Sequence, residues 1–370
     1  MSATKAYIHI SNLKHNIRQM FSAIARNTRV CMAVKADAYG HGAEAVYKAA
    51  EEEGITYFAV SSIDEARELR SYGSESDILL LGLLLPNEMS EAVNLGIEVI
   101  AGDRAYISLL EQEAKQSRKA LPVHLKVDTG MGRLGCAPEN APDLAAQIHN
   151  AEGLMLQGLC THFPISDDEN SDFTQEQTEI FKNTADTIKG LGIPVPYLHT
   201  SNSGAVIGHS YTHLSMVRPG IMLYGYYPSG DQERYLDLKP VMEFTSKVMF
   251  IKTVKKATSI SYGRTYFTKE KTRIATIPAG YGDGYNRLLS NKGEVLIRGK
   301  RYKIAGRVCM DQFMVDLGPA SDVQLYDAVT LFGPAPEGPD AEEIAQLIGT
   351  IPYEVTCNVS KRVERIVIPD

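Results

Sequence analysis

At 370 residues the chain has room for two domains, or for one barrel and a smaller module. Its 44% hydrophobic and 22% charged residues suit a folded protein with a large core, so neither a disordered nor a fibrous chain is expected. The formal charge of −7 and a pI near 5.8 argue against nucleic acid or an anionic membrane as the main partner, leaving a small molecule as the expected ligand.

Five scattered cysteines, Cys31, Cys136, Cys160, Cys309 and Cys357, form no CxxC pair. That pattern fits reduced thiols better than a disulfide framework, and no metal site is expected. The N-terminal MSATKAYIHIS lacks a secretory apolar core, and the most apolar run, 78–85, is too short to span a bilayer. A cytoplasmic location is expected.

Short β-branched apolar runs recur at 30–34, 57–60, 78–81, 98–101, 123–127, 156–161, 197–199 and 215–217, giving eight candidate strands. Segments with helical spacing lie between several of them, at 43–53, 64–72, 87–95, 104–118 and 172–191. Ser62, Asn87 and Asp103 are placed to cap helix starts, and Gly54, Gly73, Gly96 and Gly192 to end helices. This alternation predicts an α/β fold, a (β/α)8 TIM-type barrel, with a doubly wound open sheet as its nearest competitor.

Unusual polar residues fall just after the strands. Lys35 and Tyr39 follow the first, Asp128 and Arg133 the fifth, His162 the sixth, Asn202 and Ser203 the seventh, and Arg218 and Gly220 the eighth. In a barrel all of these face one mouth, where barrel enzymes do chemistry.

Beyond a polar connector at 228–240 the texture becomes mostly β, with runs at 242–254, 272–277, 294–297, 302–308 and 312–317, a helix at 340–347 and a last strand near Ile366. The predicted organisation is a barrel over 8–238 followed by a mostly β C-terminal domain over 239–370, which residues 1–7 also join.

Lys35 closes an apolar strand. Burial there disfavours an ammonium and makes the amine a better nucleophile or base. Small residues in HTSNSG and VRPGIMLYG offer backbone N–H groups to an anion, and Arg133 in VDTGMGRLG presents a planar fork suited to a carboxylate. Lys126 precedes Arg133 by seven residues, read here as on the same strand, where two cations should repel unless one is modified or paired.

Across nearly the whole chain AVKADAYGHG, TGMGRLG, HTSNSG, VRPGIMLYG, SYGRTY, AGYGDGY, GRVCMDQ and PYEVTC stand in the order of the alanine racemase motifs, and the chain closely resembles that family. The resemblance implies a pyridoxal 5′-phosphate enzyme that interconverts L- and D-alanine with two bases and supplies D-alanine for peptidoglycan. It implies that Lys35 holds the cofactor as a Schiff base and acts as one base, with Tyr262 of a partner subunit as the other, so that a homodimer shares its active sites. His162 would bond to that tyrosine, with an arginine behind it.

Cofactor contacts are implied for Tyr39, His162, Asn202, Ser203, Arg218, Gly220, Ile221 and Tyr353. Arg218, matching the family's VRPG arginine, would face the pyridine nitrogen and keep it unprotonated, which favours proton return over transamination. Arg133, with Met310, Tyr281 and Tyr262 from the partner, would surround the substrate, and Lys126 matches a lysine that can carry a carbamate. Two departures stand out: Pro164 after the histidine in THFPISDD, and Glu364 in SKRVER where the family usually has proline. A broader or serine-preferring racemase of the same fold and a non-catalytic pyridoxal phosphate-binding protein are the alternatives.

Overall fold

The structure, a computed structural model, describes residues 3–230 and 232–369. Met1 and Ser2, part of the expected N-terminal contribution to the second domain, lie outside the described residues.

Parallel strands Tyr57–Val60, Asp77–Leu80, Glu98–Ala101, Leu121–Lys126, Leu154–Cys160, Tyr197–His199 and Met216–Val217 pair in sequence, each with the next. The first barrel segment closes the ring. Its lower half, Arg29–Val30, pairs with Met216–Val217, and its upper half, Met32–Ala33, pairs with Tyr57–Val60. Cys31 joins the halves, its N–H donating to the Val217 carbonyl at 2.9 Å. The expected 30–34 strand is therefore one segment shared between two neighbours, and the result is a closed eight-fold barrel, not an open sheet.

Helices cover the barrel because each carries an apolar stripe toward the strands. Ser62 and Asp103 cap as expected, accepting from the N–H groups of Glu65 and Tyr106. Asn87 does not; it lies inside a short turn, Pro86–Glu88, where Glu88 bonds back to the Leu85 N–H at 2.7 Å. Three helices were not anticipated, Ile10–Ala23, Ala141–Asn150 and Pro352–Cys357. The first buries Ile10, Leu13, Ile17 and Met20, an i, i+3, i+7, i+10 spacing that was present in the sequence.

The second half is mainly sheet. A six-stranded sheet takes the order Lys300–Lys303, Glu294–Ile297, Ala328–Phe332, Met242–Lys247, Lys5–His9, Glu364–Ile368. Phe250–Val254, Thr272–Ile277 and Phe313–Gly318 form a separate three-stranded sheet. The run expected as one strand over 242–254 thus changes sheets at Val248 and Met249, whose N–H groups go to Asp327 and Thr276. Alternation continues through such a corner, so periodicity does not reveal it. Glu364 opens the edge strand and pairs with Lys5 directly opposite. Among the described residues no helix is long and apolar enough to cross a membrane.

Candidate active site

Lys35 follows the first barrel segment and begins a left-handed turn. Ala36, Asp37, Ala38 and Tyr39 all have φ between 52° and 55°, a conformation costing roughly 1–2 kcal/mol per residue for side chains with a Cβ. The surroundings hold it. Ala36 N–H donates to Glu65 Oε1 at 2.7 Å, Ala43 N–H to Asp37 Oδ1 at 2.7 Å, and Gly40 N–H to the Ala36 carbonyl at 2.9 Å. The other Glu65 oxygen takes the Ser61 N–H at 2.7 Å, so one carboxylate ties this turn to the next barrel loop. Gly40 lies so close to the Thr356 carbonyl that a Cβ would come within 2.3 Å of its oxygen. Strain of this kind persists where the fold over-determines it, and it gathers at functional sites.

Lys35 lines a cavity of about 270 Å³ at the carboxyl ends of the strands, together with Ser61, Gly82, Lys126, Arg133, Cys160, His162 and Arg218. The charged side chains of that lining are all cationic, with no carboxylate among the described residues. Burial, reinforced by Arg133, lowers the Lys35 pKa, which favours the free amine needed for nucleophilic or base chemistry.

Lys126 is deeper, and its side-chain amine makes no hydrogen bond or ion pair among the described residues. Burial pushes it down to about 8; Cys160 opposes the shift, while Arg218 and Arg133 add to it. Contrary to expectation Lys126 and Arg133 do not share a strand: Lys126 ends Leu121–Lys126, and Arg133 stands in the following loop. Asp128 shapes that loop by accepting from the N–H groups of Gly130 and Gly132 at 3.0 Å, and it makes no salt bridge with Arg133. The two cations still sense each other across the cavity.

Arg218 is buried and donates to carbonyls at the ends of two neighbouring strands, Thr161 at 2.7 Å and Thr200 at 3.0 Å. Its NH1 meets His199 Nδ1 at 2.7 Å, and its NH2 lies 3.4 Å from His162 Nδ1, so the arginine does stand behind the histidine. Its Nε–H has no protein acceptor among the described residues. Burial first, then Arg218, drives the His162 pKa well below the usual imidazole range, keeping the ring neutral.

The candidate phosphate contacts meet beside this. Ser203 Oγ accepts from the N–H groups of Gly220 at 2.9 Å and Met222 at 3.4 Å. A Cβ on Gly220 would come within 2.6 Å of the Tyr39 hydroxyl, so the backbone approaches that phenol closely only because residue 220 is glycine. Asn202 Oδ1 caps the short Ser203–Gly208 helix through Ala205 N–H and is held by Ser166 Oγ at 2.6 Å. Ile221 is buried, and the rings of Tyr39 and Tyr353 lie 5.8 Å apart.

Tyr262, Tyr281 and Met310 do not line the cavity. They are exposed, Tyr262 by 71%. They nevertheless belong to one patch. Ser261 Oγ donates to the Arg307 carbonyl at 2.7 Å, the Tyr281 N–H to Cys309 at 3.0 Å, and the Gly282 N–H to Met310 at 2.9 Å. Arg362 braces the patch by bonding Asp283 at 2.8 Å and Asp311 at 2.9 Å.

Sequence reasoning missed Glu65, His199 and the Arg362 brace. Glu65 carried a signal, three residues after the capping Ser62. His199 lay within the quoted HTSNSG motif, but nothing local marks it as the partner of an arginine nineteen residues away. Pro164 leaves His162 in contact with Arg218.

A closed barrel with four basic residues around one mouth, followed by a β domain that displays tyrosines on an exposed face, is the architecture of a barrel enzyme. The model of the alanine racemase N-terminal domain matches residues 8–228, and that of the C-terminal domain matches 241–367. The alanine racemase of Treponema denticola is 45% identical over 100% of this chain and 99% of its own. The solved alanine racemase of Clostridium difficile 630 superposes with a TM-score of 0.95 at 36% identity, covering 100% of this chain and 97% of that one. The Bacillus anthracis alanine racemase with bound L-Ala-P gives 0.93 at 33% identity, covering 100% and 95%. The chain belongs to the alanine racemase family, and it is an amino-acid racemase, an isomerase.

Proposed function

We propose that this chain interconverts L- and D-alanine with pyridoxal 5′-phosphate, using Lys35 and Tyr262 of the partner subunit as two bases, and so supplies D-alanine for peptidoglycan in the cytoplasm. The observation that carries the reading is the cavity lining: Lys35, Lys126, Arg133 and Arg218 converge with no carboxylate of the described chain among them. Such a lining suits a ligand bearing both a phosphate and a carboxylate.

The residues fit the cofactor. Lys35 would hold it covalently, Ser203, Gly220, Ile221, Tyr39, Asn202 and Tyr353 would surround the phosphate, and His162 would complete its contacts. The spare Nε–H of Arg218 supports a donor bond to the pyridine nitrogen. When bound, pyridoxal 5′-phosphate supplies an electron sink for the α-carbon of an amino acid.

Lys35 Nζ would take or return the α-proton on one face, helped by the burial and the Arg133 charge that shift its pKa down toward the free amine. Arg133 would grip the substrate carboxylate. The other face needs a second base, and the exposed patch of Tyr262, Tyr281 and Met310 is the candidate, contributed across a homodimer in which each chain completes the site of the other. Neutral His162, with its Nδ1 facing the Arg218 guanidinium, would present its Nε2–H as a donor to the oxygen of that phenol. Lys126 is unpaired and partly neutral near pH 8, which favours capture of carbon dioxide as a carbamate able to pair with Arg133.

The Bacillus anthracis relative with bound L-Ala-P supports an alanine-sized substrate. We place the division between the barrel and β units at 238–239, with the N-terminal strand Lys5–His9 lending its edges to the second.

The test is an absorbance spectrum of the purified protein before and after borohydride, followed by mapping of the reduced lysine and assay of both alanine enantiomers. Attachment at Lys35 with interconversion of both enantiomers is expected. Attachment at another lysine, or none, overturns the assignment. Turnover of serine in preference to alanine would replace the substrate.

A further inference from the structure

Barrel interiors are usually filled by layers of apolar side chains. Here a polar column runs through the barrel. Glu98 and Tyr57 stand at the starts of their strands, at the end away from the cavity; His124 lies within its strand, His199 ends its own, and Arg218 follows the last. All five side chains are buried. Arg218 NH1 to His199 Nδ1 is 2.7 Å, His199 Nε2 to His124 Nδ1 is 2.7 Å, and His124 Nε2 to Glu98 Oε2 is 2.5 Å. The Tyr57 hydroxyl also donates to Glu98.

Donor chemistry gives this column one direction. A guanidinium has donors only, so His199 Nδ1 must accept and its proton must sit on Nε2. That N–H then requires His124 Nδ1 to accept, which puts the His124 proton on Nε2, facing Glu98. An ionised carboxylate, an acceptor only, satisfies both His124 and Tyr57. A protonated Glu98 that donated to His124 would reverse both imidazoles and set an N–H of His199 against an N–H of Arg218. A neutral His199 is also what burial and the nearby Arg218 charge favour, since both hold its pKa well down. Arg218 has no ion pair of its own among the described residues, and Glu98 is the one carboxylate joined to it by this chain.

Removing a buried charge network in favour of apolar side chains is often neutral or stabilising, so stability by itself does not account for the column. We propose that Glu98 is a positioning residue for Arg218: through His124 and His199 it sets the two imidazole tautomers that present a lone pair to the guanidinium at the cavity wall. It acts as an orienting carboxylate does on a catalytic histidine, but across two rings.

This rests on the reading of Arg218 as a cofactor contact, yet its first test needs no turnover. The holoenzyme and its Glu98→Gln and Glu98→Leu variants, labelled with 15N-histidine, report the tautomers of His124 and His199 by NMR. In the native protein both rings are expected as neutral Nε2–H tautomers. A glutamine can donate as well as accept, so Glu98→Gln lets the reversed pair of tautomers compete and should show a minor Nδ1–H fraction at His199, in which the bond to Arg218 is broken. It should lower kcat by about tenfold with KM little changed, because orienting carboxylates act on catalysis more than on binding. Glu98→Leu, if it folds, should go further in both respects. Unchanged tautomers and unchanged kcat in Glu98→Gln would overturn the proposal, as would an Nδ1–H tautomer at His199 in the native protein. A native protein that shows the expected tautomers but does not racemise alanine would sink the functional reading and leave the column as described.

Discussion

The barrel mouth and the patch around Tyr262 are built on opposite plans. At the mouth the loops and the deepest arginine are fixed within one chain: Glu65 ties down the Lys35 turn, Ser203 holds the Gly220 loop, and Arg218 is bonded on three sides. The patch is just as well braced in its backbone, by Ser261, Tyr281 and Arg362, but Tyr262 itself stands in solvent. Its hydroxyl has no hydrogen-bond partner among the described residues, so the patch lacks by itself the surroundings that would activate a phenol as a base. One chain thus preorganises the cofactor half of the site and only presents the other half.

The largest expected effect breaks that division. Tyr262→Phe should reduce racemisation by roughly 10²–10⁴-fold, the usual contribution of a general base, while leaving cofactor attachment and the thermal midpoint unchanged because the lost hydroxyl makes no hydrogen bond among the described residues and the ring is kept. Activity assays in both directions beside a melting curve decide it; full activity in the variant would remove Tyr262 from the mechanism.

Lys126 tests the mouth. Its pKa is about 8 when folded against about 10.4 unfolded, so the unfolded chain binds more protons across that window and stability rises with pH through it. At neutral pH the buried ammonium destabilises the fold, and Lys126→Met should stabilise it by on the order of 2–3 kcal/mol, the advantage shrinking toward about pH 10. Urea unfolding of both proteins across this range reads the slope. A carbamate on Lys126 would remove the slope from the native protein, and mass spectrometry of the native protein in bicarbonate distinguishes that case.

Gly220→Ala places a methyl 2.6 Å from the Tyr39 hydroxyl and should cost roughly 1–3 kcal/mol, read as a weaker Kd for pyridoxal 5′-phosphate in a spectroscopic titration. If the cofactor binds as tightly as before, that cradle is not where its phosphate sits. The smallest effect is at the Lys35 turn. Ala36 is exposed with φ of 54°, so Ala36→Gly should relieve about 1 kcal/mol of strain, offset in part by the greater freedom of the unfolded chain, and raise the unfolding midpoint slightly.

Much of the barrel was legible because each strand is a short apolar run with a polar segment behind it. Ser62 and Asp103 marked their helices because capping is a local bond. The helix Ile10–Ala23 is equally legible, since its buried stripe repeats at local helical spacing. The sheet change at Val248 was not legible, since side chains alternate in the same way on either side of the corner. The strand shared at Cys31 was likewise hidden, because ring closure depends on which edges meet, a property of the whole sheet.

The motifs by themselves determined the candidates: Lys35, Arg133, Arg218, the glycine of VRPG and the tyrosine of SYGRTY are all in view in the bare chain. What only folding decided was their company. The cavity became cationic because loops from distant strands converge on it, Lys126 lost its pairing because no acid was carried in beside it, and Arg218 acquired a buried path to Glu98 through His199 and His124. Local propensities and motifs act over a few residues, whereas pKa values and tautomers depend on which groups share a low-dielectric interior, and sequence spacing carries no direct measure of that.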